Sequence, residues 1–151
     1  MSKTLVRIGV DPDLKASGFC VLTKTPFKNG WVIEELETLP FFRLIERLEV
    51  QTKLAQLPGT SLLICIEAGW LNKSIHHFAA NKSVAGKIGK NVGHNEAIGK
   101  LFEEWCKENN VPYKLIKPET KKWDADLFKK VTGWDKRTNQ EERDAVRTAW
   151  N

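Results

Sequence analysis

The sequence predicts a mixed α/β sheet: three strands in an antiparallel meander, then two parallel strands reached through helical crossovers, with helices on both faces. Three observations carry this. Two apolar runs, 4–10 and 18–24, are joined by a short polar turn. The later apolar runs, 61–66 and 113–116, alternate with stretches of helical periodicity. The run Leu62-Leu63-Ile64-Cys65-Ile66 is continuous, as expected of a strand buried on both faces.

The elements follow in order. Residues 4–10 and 18–24 read as the first two strands. Trp31-Val32-Ile33 is a third, after the turn signal Lys28-Asn29-Gly30. Pro40 opens a helix over 41–57, with Phe41, Leu44, Ile45, Leu48 and Ala55 apolar, and Pro58-Gly59 ends it. The strand 61–66 follows. Residues 71–95 are rich in Asn, Gly and Lys and read as mobile backbone. A helix over 96–109 carries Ile98, Leu101, Phe102 and Trp105 on one face and stops at Asn109-Asn110. Tyr113-Lys114-Leu115-Ile116 is the last strand. A short helix is expected over 119–131, from Pro118-Glu119 to Thr132-Gly133, and a final helix over 140–150. Parallel strands need crossovers and hairpins give antiparallel pairs, which sets the mixed sheet. With no repeat or linker, 151 residues read as a single domain, 1–151.

Composition narrows the function classes. Hydrophobic residues make up 41% and charged residues 28%, ordinary for a globular chain. No apolar run approaches the ~20 residues of a membrane span, and Met1-Ser2-Lys3-Thr4 lacks the apolar segment of a signal peptide. Cys20, Cys65 and Cys106 lie in apolar runs without metal-ligand spacing. The expectation is a cytoplasmic protein with reduced cysteines and no membrane partner. The net charge is +5. Residues 71–95 contain no acid but hold Lys73, Lys82, Lys87 and Lys90; residues 114–122 hold Lys114, Lys117, Lys121 and Lys122 against Glu119 alone. Such stretches attract a polyanion and release its counterions, although a solvated basic surface looks the same.

The chemistry lies in acids at element ends. Asp11 closes the first strand, and Glu67 closes the apolar run at 61–66. If the first and fourth strands are parallel neighbours, both carboxylates leave the sheet at one edge, where sites form in open α/β sheets. Asp144 lies near the start of the last helix, in Asn139-Gln140-Glu141-Glu142-Arg143-Asp144-Ala145. Hard divalent ions take such oxygen ligands. Each acid has a plainer reading: a turn or cap for Asp11, a surface ion pair with Arg143 or Arg147 for Asp144. Glu67 is harder to explain so, because a strand this apolar rarely ends in an unpaired acid. Adjacent His76 and His77 cannot share one face, so they are not read as a metal pair. His94 reads as a loop residue.

Ile8-Gly9-Val10-Asp11-Pro12-Asp13-Leu14 with Ser17-Gly18-Phe19 resembles the opening of RuvC-type Holliday-junction resolvases, with Asp13 where the family has Gly. Cys65-Ile66-Glu67-Ala68-Gly69-Trp70 resembles the second motif, and Gly93-His94-Asn95-Glu96-Ala97-Ile98-Gly99 the start of the family's long helix. Pro112 to Lys122 resembles the last strand and its lysine-bearing sequel, and Thr132-Gly133 with Glu141-Glu142-Arg143-Asp144-Ala145 the closing helix. The motifs span most of the chain in order, with the short linker before Asp144 of phage or mobile-element versions. The resemblance implies a ribonuclease-H-like fold, a homodimer, and Mg²⁺-dependent cutting of branched DNA, four-way junctions above all, with Mn²⁺ able to substitute. Two ions per site would be held by Asp11 as the bridging ligand, Glu67 and Asp144. Glu141, three residues before Asp144, is the candidate fourth acid, with Glu142 the weaker one.

Trp70 follows the second motif and is a candidate to stack on a base at the branch point, with a core Trp the equal alternative. Lys73, Lys82, Lys87, Lys90, Lys117, Lys121 and Lys122 are candidate phosphate contacts. Trp31, Trp105, Trp123, Trp134 and Trp150 read as core or interface. The apolar face of helix 96–109 serves either a dimer interface or packing on the sheet. Rival readings are a nuclease of the same fold acting on forks, flaps or RNA–DNA hybrids, and a non-catalytic binder of branched nucleic acid. Actin-type ATPases also open with strand, Asp and turn, but need two such domains.

Overall fold

The computed structural model describes residues 3–72 and 82–151. Five strands form one sheet in the order β3-β2-β1-β4-β5: β1 is Thr4–Asp11, β2 Ser17–Lys24, β3 Val32–Leu39, β4 Thr60–Glu67 and β5 Tyr113–Ile116. β1 pairs antiparallel with β2 and β2 with β3. β1 pairs parallel with β4, and β4 with β5. This is the mixed topology expected, with three antiparallel and two parallel strands. Val10 lies opposite Ile66, so Asp11 and Glu67 leave adjacent parallel strands side by side.

Successive strand residues point to opposite faces, and the core divides accordingly. On one face Ile8, Val10, Phe19, Val21, Ile64 and Ile66 pack under α1 (Phe41–Leu54) and α2 (Lys82–Glu108), which contribute Leu44, Leu48, Phe102 and Cys106. On the other, Cys20, Leu22 and Cys65 meet Phe128 of α3 (Ala125–Thr132) and Ala145, Val146 and Ala149 of α4 (Gln140–Trp150). Asp11 shares the parity of Gly9, and Glu67 that of Cys65. Both carboxylates therefore emerge on the α4 face.

Two glycines let α4 lie close against that face. A Cβ on Gly9 would stand 2.0 Å from the Ala145 carbonyl oxygen, and one on Gly18 would stand 2.0 Å from that of Glu141. These carbonyls are one helical turn apart, so β1 and β2 each give up a side chain where a turn of α4 descends. The N-terminus of α4 is fixed by a capping box: the Asn139 side chain accepts from Glu142 N at 2.8 Å, and Glu142 Oε1 accepts from Asn139 N at 3.0 Å.

Four elements differ from the sequence expectation. β3 extends to Leu39, because its acids lie on an edge strand where Glu35 and Glu37 pair with Arg47 of α1. α1 ends at Leu54 rather than 57. The long helix begins at Lys82, not 96, so residues 82–95 are helix rather than mobile backbone. Val84, Ile88 and Val92 recur at helical spacing through that Gly-rich stretch. α3 begins at Ala125 rather than 119, because the Asp124 side chain caps it, accepting from Leu127 N at 2.8 Å. Residues 117–124 are thereby left irregular. Among the described residues, no helix is long and apolar enough to cross a membrane.

Candidate active site

Asp11, Glu67 and Asp144 converge: one carboxylate oxygen from each lies within 4.8 Å of the others. Asp11 is half-buried at the end of β1, Glu67 is 5% exposed at the end of β4, and Asp144 is 3% exposed in the second turn of α4. The turn after Asp11 is held by its own side chains. Asp13 N donates to Ser17 Oγ at 3.0 Å, and Asp13 Oδ1 accepts from Lys15 N at 2.9 Å. The Asp at position 13 thus closes the turn with an Asx contact in place of the family's glycine.

Cations and donors surround the acids. Lys122 Nζ stands 2.5 Å from Asp144 Oδ2, and Gln140 Nε2 donates to Asp144 Oδ1 at 2.8 Å. Arg147, 4% exposed, donates from Nη2 to Glu67 Oε1 at 3.2 Å and from Nη1 to the Lys121 carbonyl at 3.1 Å. The same Nη2 is 3.8 Å from Asp144 Oδ1. Arg147 is therefore a buried member of the site and not a surface partner of Asp144. Arg143 turns elsewhere, donating to the Trp123 carbonyl at 3.0 Å.

Glu67 Oε2 is buried and has no donor partner. Such an atom is open to a cation, an ordered water or a proton shared with Asp11. Burial, the neighbouring Glu67 and the proton shared with it push the Asp11 carboxyl up to about 9, against the pull of Lys122. Burial also raises Glu67 above the usual carboxylate range. Three hard oxygen donors, one of them orphaned, fit a divalent cation.

Glu141 is not one of the three acids that converge; it is half-buried one turn before Asp144. With about 100° per helical residue, Gln140 and Arg147 fall on one side of Asp144 and Glu141 on the other. Glu142, the second candidate, is held in the capping box.

A cleft of about 180 Å³ opens over Asp11 and Glu67, walled by Trp70, Asn95, Pro118 and Lys122. Trp70 is neither fully buried nor free. Its ring lies against Gly99 of α2, where a Cβ would stand 2.5 Å from it, with Pro12 also near and Lys100 Nζ at 5.9 Å from the ring centroid. Trp105 packs against the first core, and Trp31, Trp123, Trp134 and Trp150 against the second. Lys90, Lys117 and Lys121 are exposed. Lys73, with His76 and His77, lies outside the described residues, as do the side chains of Lys82 and Lys87. His94 sits in α2 rather than a loop.

Sequence reasoning had Arg147 only as a surface partner of Asp144, and missed Gln140, the two glycines under α4 and the contact of Arg147 with Glu67. The available signal was spacing: residues 140, 144 and 147 form one helical stripe.

A mixed sheet in this order, with acids at the ends of β1 and β4 and on the closing helix, is a ribonuclease-H-like α/β architecture. No protein-family model and no curated protein matches the chain. Among solved structures, the RuvC of Thermus thermophilus in complex with a Holliday junction substrate has the same fold, with TM-score 0.51 and 15% identity over 96% of this chain and 90% of that one. Thermus thermophilus RuvC in a second structure gives 0.49 and 13% over 96% and 91%. Fowlpox virus resolvase with its substrate Holliday junction DNA gives 0.48 and 11% over 95% and 94%. The fold is RuvC-like.

Proposed function

We propose that this chain is a divalent-metal-dependent endonuclease that cuts branched DNA, with four-way junctions as substrate and a homodimer as the working form. The observation that carries the reading is the convergence of Asp11, Glu67 and Asp144 with an orphaned buried Glu67 oxygen. The likeness of fold to a RuvC solved with a Holliday junction agrees with it.

Asp11, Glu67 and Asp144 hold Mg²⁺, for which Mn²⁺ substitutes. Bound ions supply a hydroxide nucleophile near neutral pH and stabilise the leaving 3′-oxygen. Lys122, half exposed beside Asp144, neutralises the scissile phosphate once it leaves the carboxylate. Lys117 and Lys121 contact phosphates beside the site, and Lys90 reaches an arm of the junction. Trp70, braced on Gly99 at the rim of the cleft, stacks on an unpaired base at the branch point.

A four-way junction offers two equivalent strands, which a two-fold dimer matches with two sites. Ile98, Phe102 and Trp105 serve packing on the sheet, whereas Leu101 is 46% exposed and Phe42 78% exposed. These two line an open apolar groove between α1 and α2, the face assigned here to the dimer.

The test is purified protein on a synthetic four-way junction, a linear duplex and an RNA–DNA hybrid of equal length, with Mg²⁺, Mn²⁺ or chelator. Metal-dependent cutting confined to the junction is the expected result. Junction binding without cleavage would instead mark a non-catalytic binder, and cutting of all three a less selective nuclease.

A further inference from the structure

We propose that Arg147 is a fixed internal cation of the acidic site, so that the free protein holds one divalent ion and admits a second only together with a substrate phosphate. The inference rests on the nuclease reading above and deepens it.

Arg147 differs from Lys122 in how it is held. Its guanidinium is tied on one side to Glu67 Oε1 and on the other to the Lys121 carbonyl, and its side chain is 3% exposed. Arginine does not lose its proton in proteins, so this charge is permanent. Removing either partner of so buried a pair leaves an uncompensated charge, which keeps the guanidinium in place. The Lys122 side chain is 50% exposed and sits on the irregular segment before α3. Its ammonium can turn to solvent and be replaced by an incoming ion.

The remaining oxygens follow from these contacts. Arg147 takes Glu67 Oε1, and Gln140 takes Asp144 Oδ1. Free for an ion are the Asp11 carboxyl, the orphaned Glu67 Oε2, and Asp144 Oδ2 once Lys122 departs. Three carboxylates against one guanidinium leave the equivalent of two negative charges, which one divalent ion neutralises. A second ion would make the pocket net positive, a state that a phosphate in the cleft corrects. Arg147 lies on the opposite side of Asp144 from Glu141, and it brings the site a positive charge where a fourth acid would bring a negative one.

The experiment counts Mn²⁺ bound per chain, by calorimetry and by paramagnetic resonance, on the full chain without DNA. Wild type should bind one ion, and Arg147→Lys, which keeps the charge, should do the same. Folded Arg147→Met, which keeps length without charge, should bind two ions, or bind the first about tenfold more tightly as the opposing charge is lost. Two ions of equal affinity on wild type would overturn the proposal, whether or not Arg147→Met folds. So would a folded Arg147→Met with unchanged stoichiometry and affinity. Asp11→Asn separates the two readings. If wild type binds no ion and does not cut, the nuclease reading falls; if it cuts junctions and binds two ions that Asp11→Asn abolishes, only the role of Arg147 falls.

Discussion

Replacing Asp11 with Asn in the metal-free protein should raise its stability, increasingly so at higher pH. The Asp11 carboxyl is pushed from 3.8 up to about 9 by burial and by Glu67 and Asp144 beside it. The unfolded chain releases this proton near the lower value and the folded chain near the upper one. Between them the folded state holds the extra proton, so stability falls as pH rises through the window. At about 1.4 kcal/mol per pH unit, the rise from 3.8 to pH 8 sets a ceiling of roughly 6 kcal/mol on the loss. Lys122 can turn toward the ionised carboxylate, and the site can relax, so about 2–3 kcal/mol is expected to remain. For a chain of 151 residues that is a melting-temperature gain of about 5–10 °C for Asp11→Asn at pH 8. The assay is thermal melting in chelator between about pH 5 and pH 8.5 for both proteins. Wild type should lose stability across the range faster than the variant, which keeps only the contribution of Glu67. Saturating Mg²⁺ should stabilise wild type and leave the variant nearly unmoved. Parallel pH profiles with no gain for Asn would refute the account of the cluster as mutually repelling acids awaiting a cation.

Gly9→Ala should cost about 3 kcal/mol, read by denaturant titration, because the new methyl meets a backbone carbonyl that cannot step aside. The same substitution should weaken Mn²⁺ binding in whatever fraction folds, since it lifts Asp144 away from Asp11. Lys121→Ala should weaken binding to every branched substrate alike and flatten the salt dependence by about one unit, measured by fluorescence anisotropy. Trp70→Ala should reduce junction cleavage more than junction affinity and leave duplex affinity unchanged; a lowered melting temperature with cleavage intact would make Trp70 a packing residue only. Sedimentation at micromolar concentration should show a dimer that Leu101→Glu dissociates, and a monomer with and without junction DNA would remove the assigned interface.

The strands and their order were readable because apolar runs bounded by turns admit few topologies. Asp11 and Glu67 stood out for the same reason: an acid at the end of such a run has no apolar excuse. The N-terminal half of α2 was not readable, since Gly86, Gly89, Asn91 and Gly93 lower helix propensity while the Val84-Ile88-Val92 stripe that marks the helix is thin. The start of α3 moved because Asp124 is a better cap than the turn at Pro118-Glu119. Arg147 was hidden by a sound habit, that a charge on a surface-length helix faces water. Its burial depends on how deeply α4 sits on Gly9 and Gly18, a tertiary fact with no local signature. Which of Glu141 and Arg147, lying on either side of Asp144, faces Glu67 depends on how the helix is rotated, and spacing alone leaves that open.

The pair of glycines under α4 also bears on the order of assembly. Gly9 and Gly18 come into line only when β1 and β2 have paired, so the bed on which α4 rests does not exist before the hairpin forms. The residues of the sheet end at Ile116, whereas those of α4 begin at Gln140. As the chain emerges during synthesis, every strand is therefore available before Asp144 is. Joining α4 to β1 closes a long loop, since Arg7 reaches Ala149, and such distant contacts form more slowly than local ones. The acidic cluster is incomplete until α4 docks, and a molecule without that docking carries Asp11 and Glu67 without their third member. On the proposed activity, only a molecule whose α4 has docked can cut DNA.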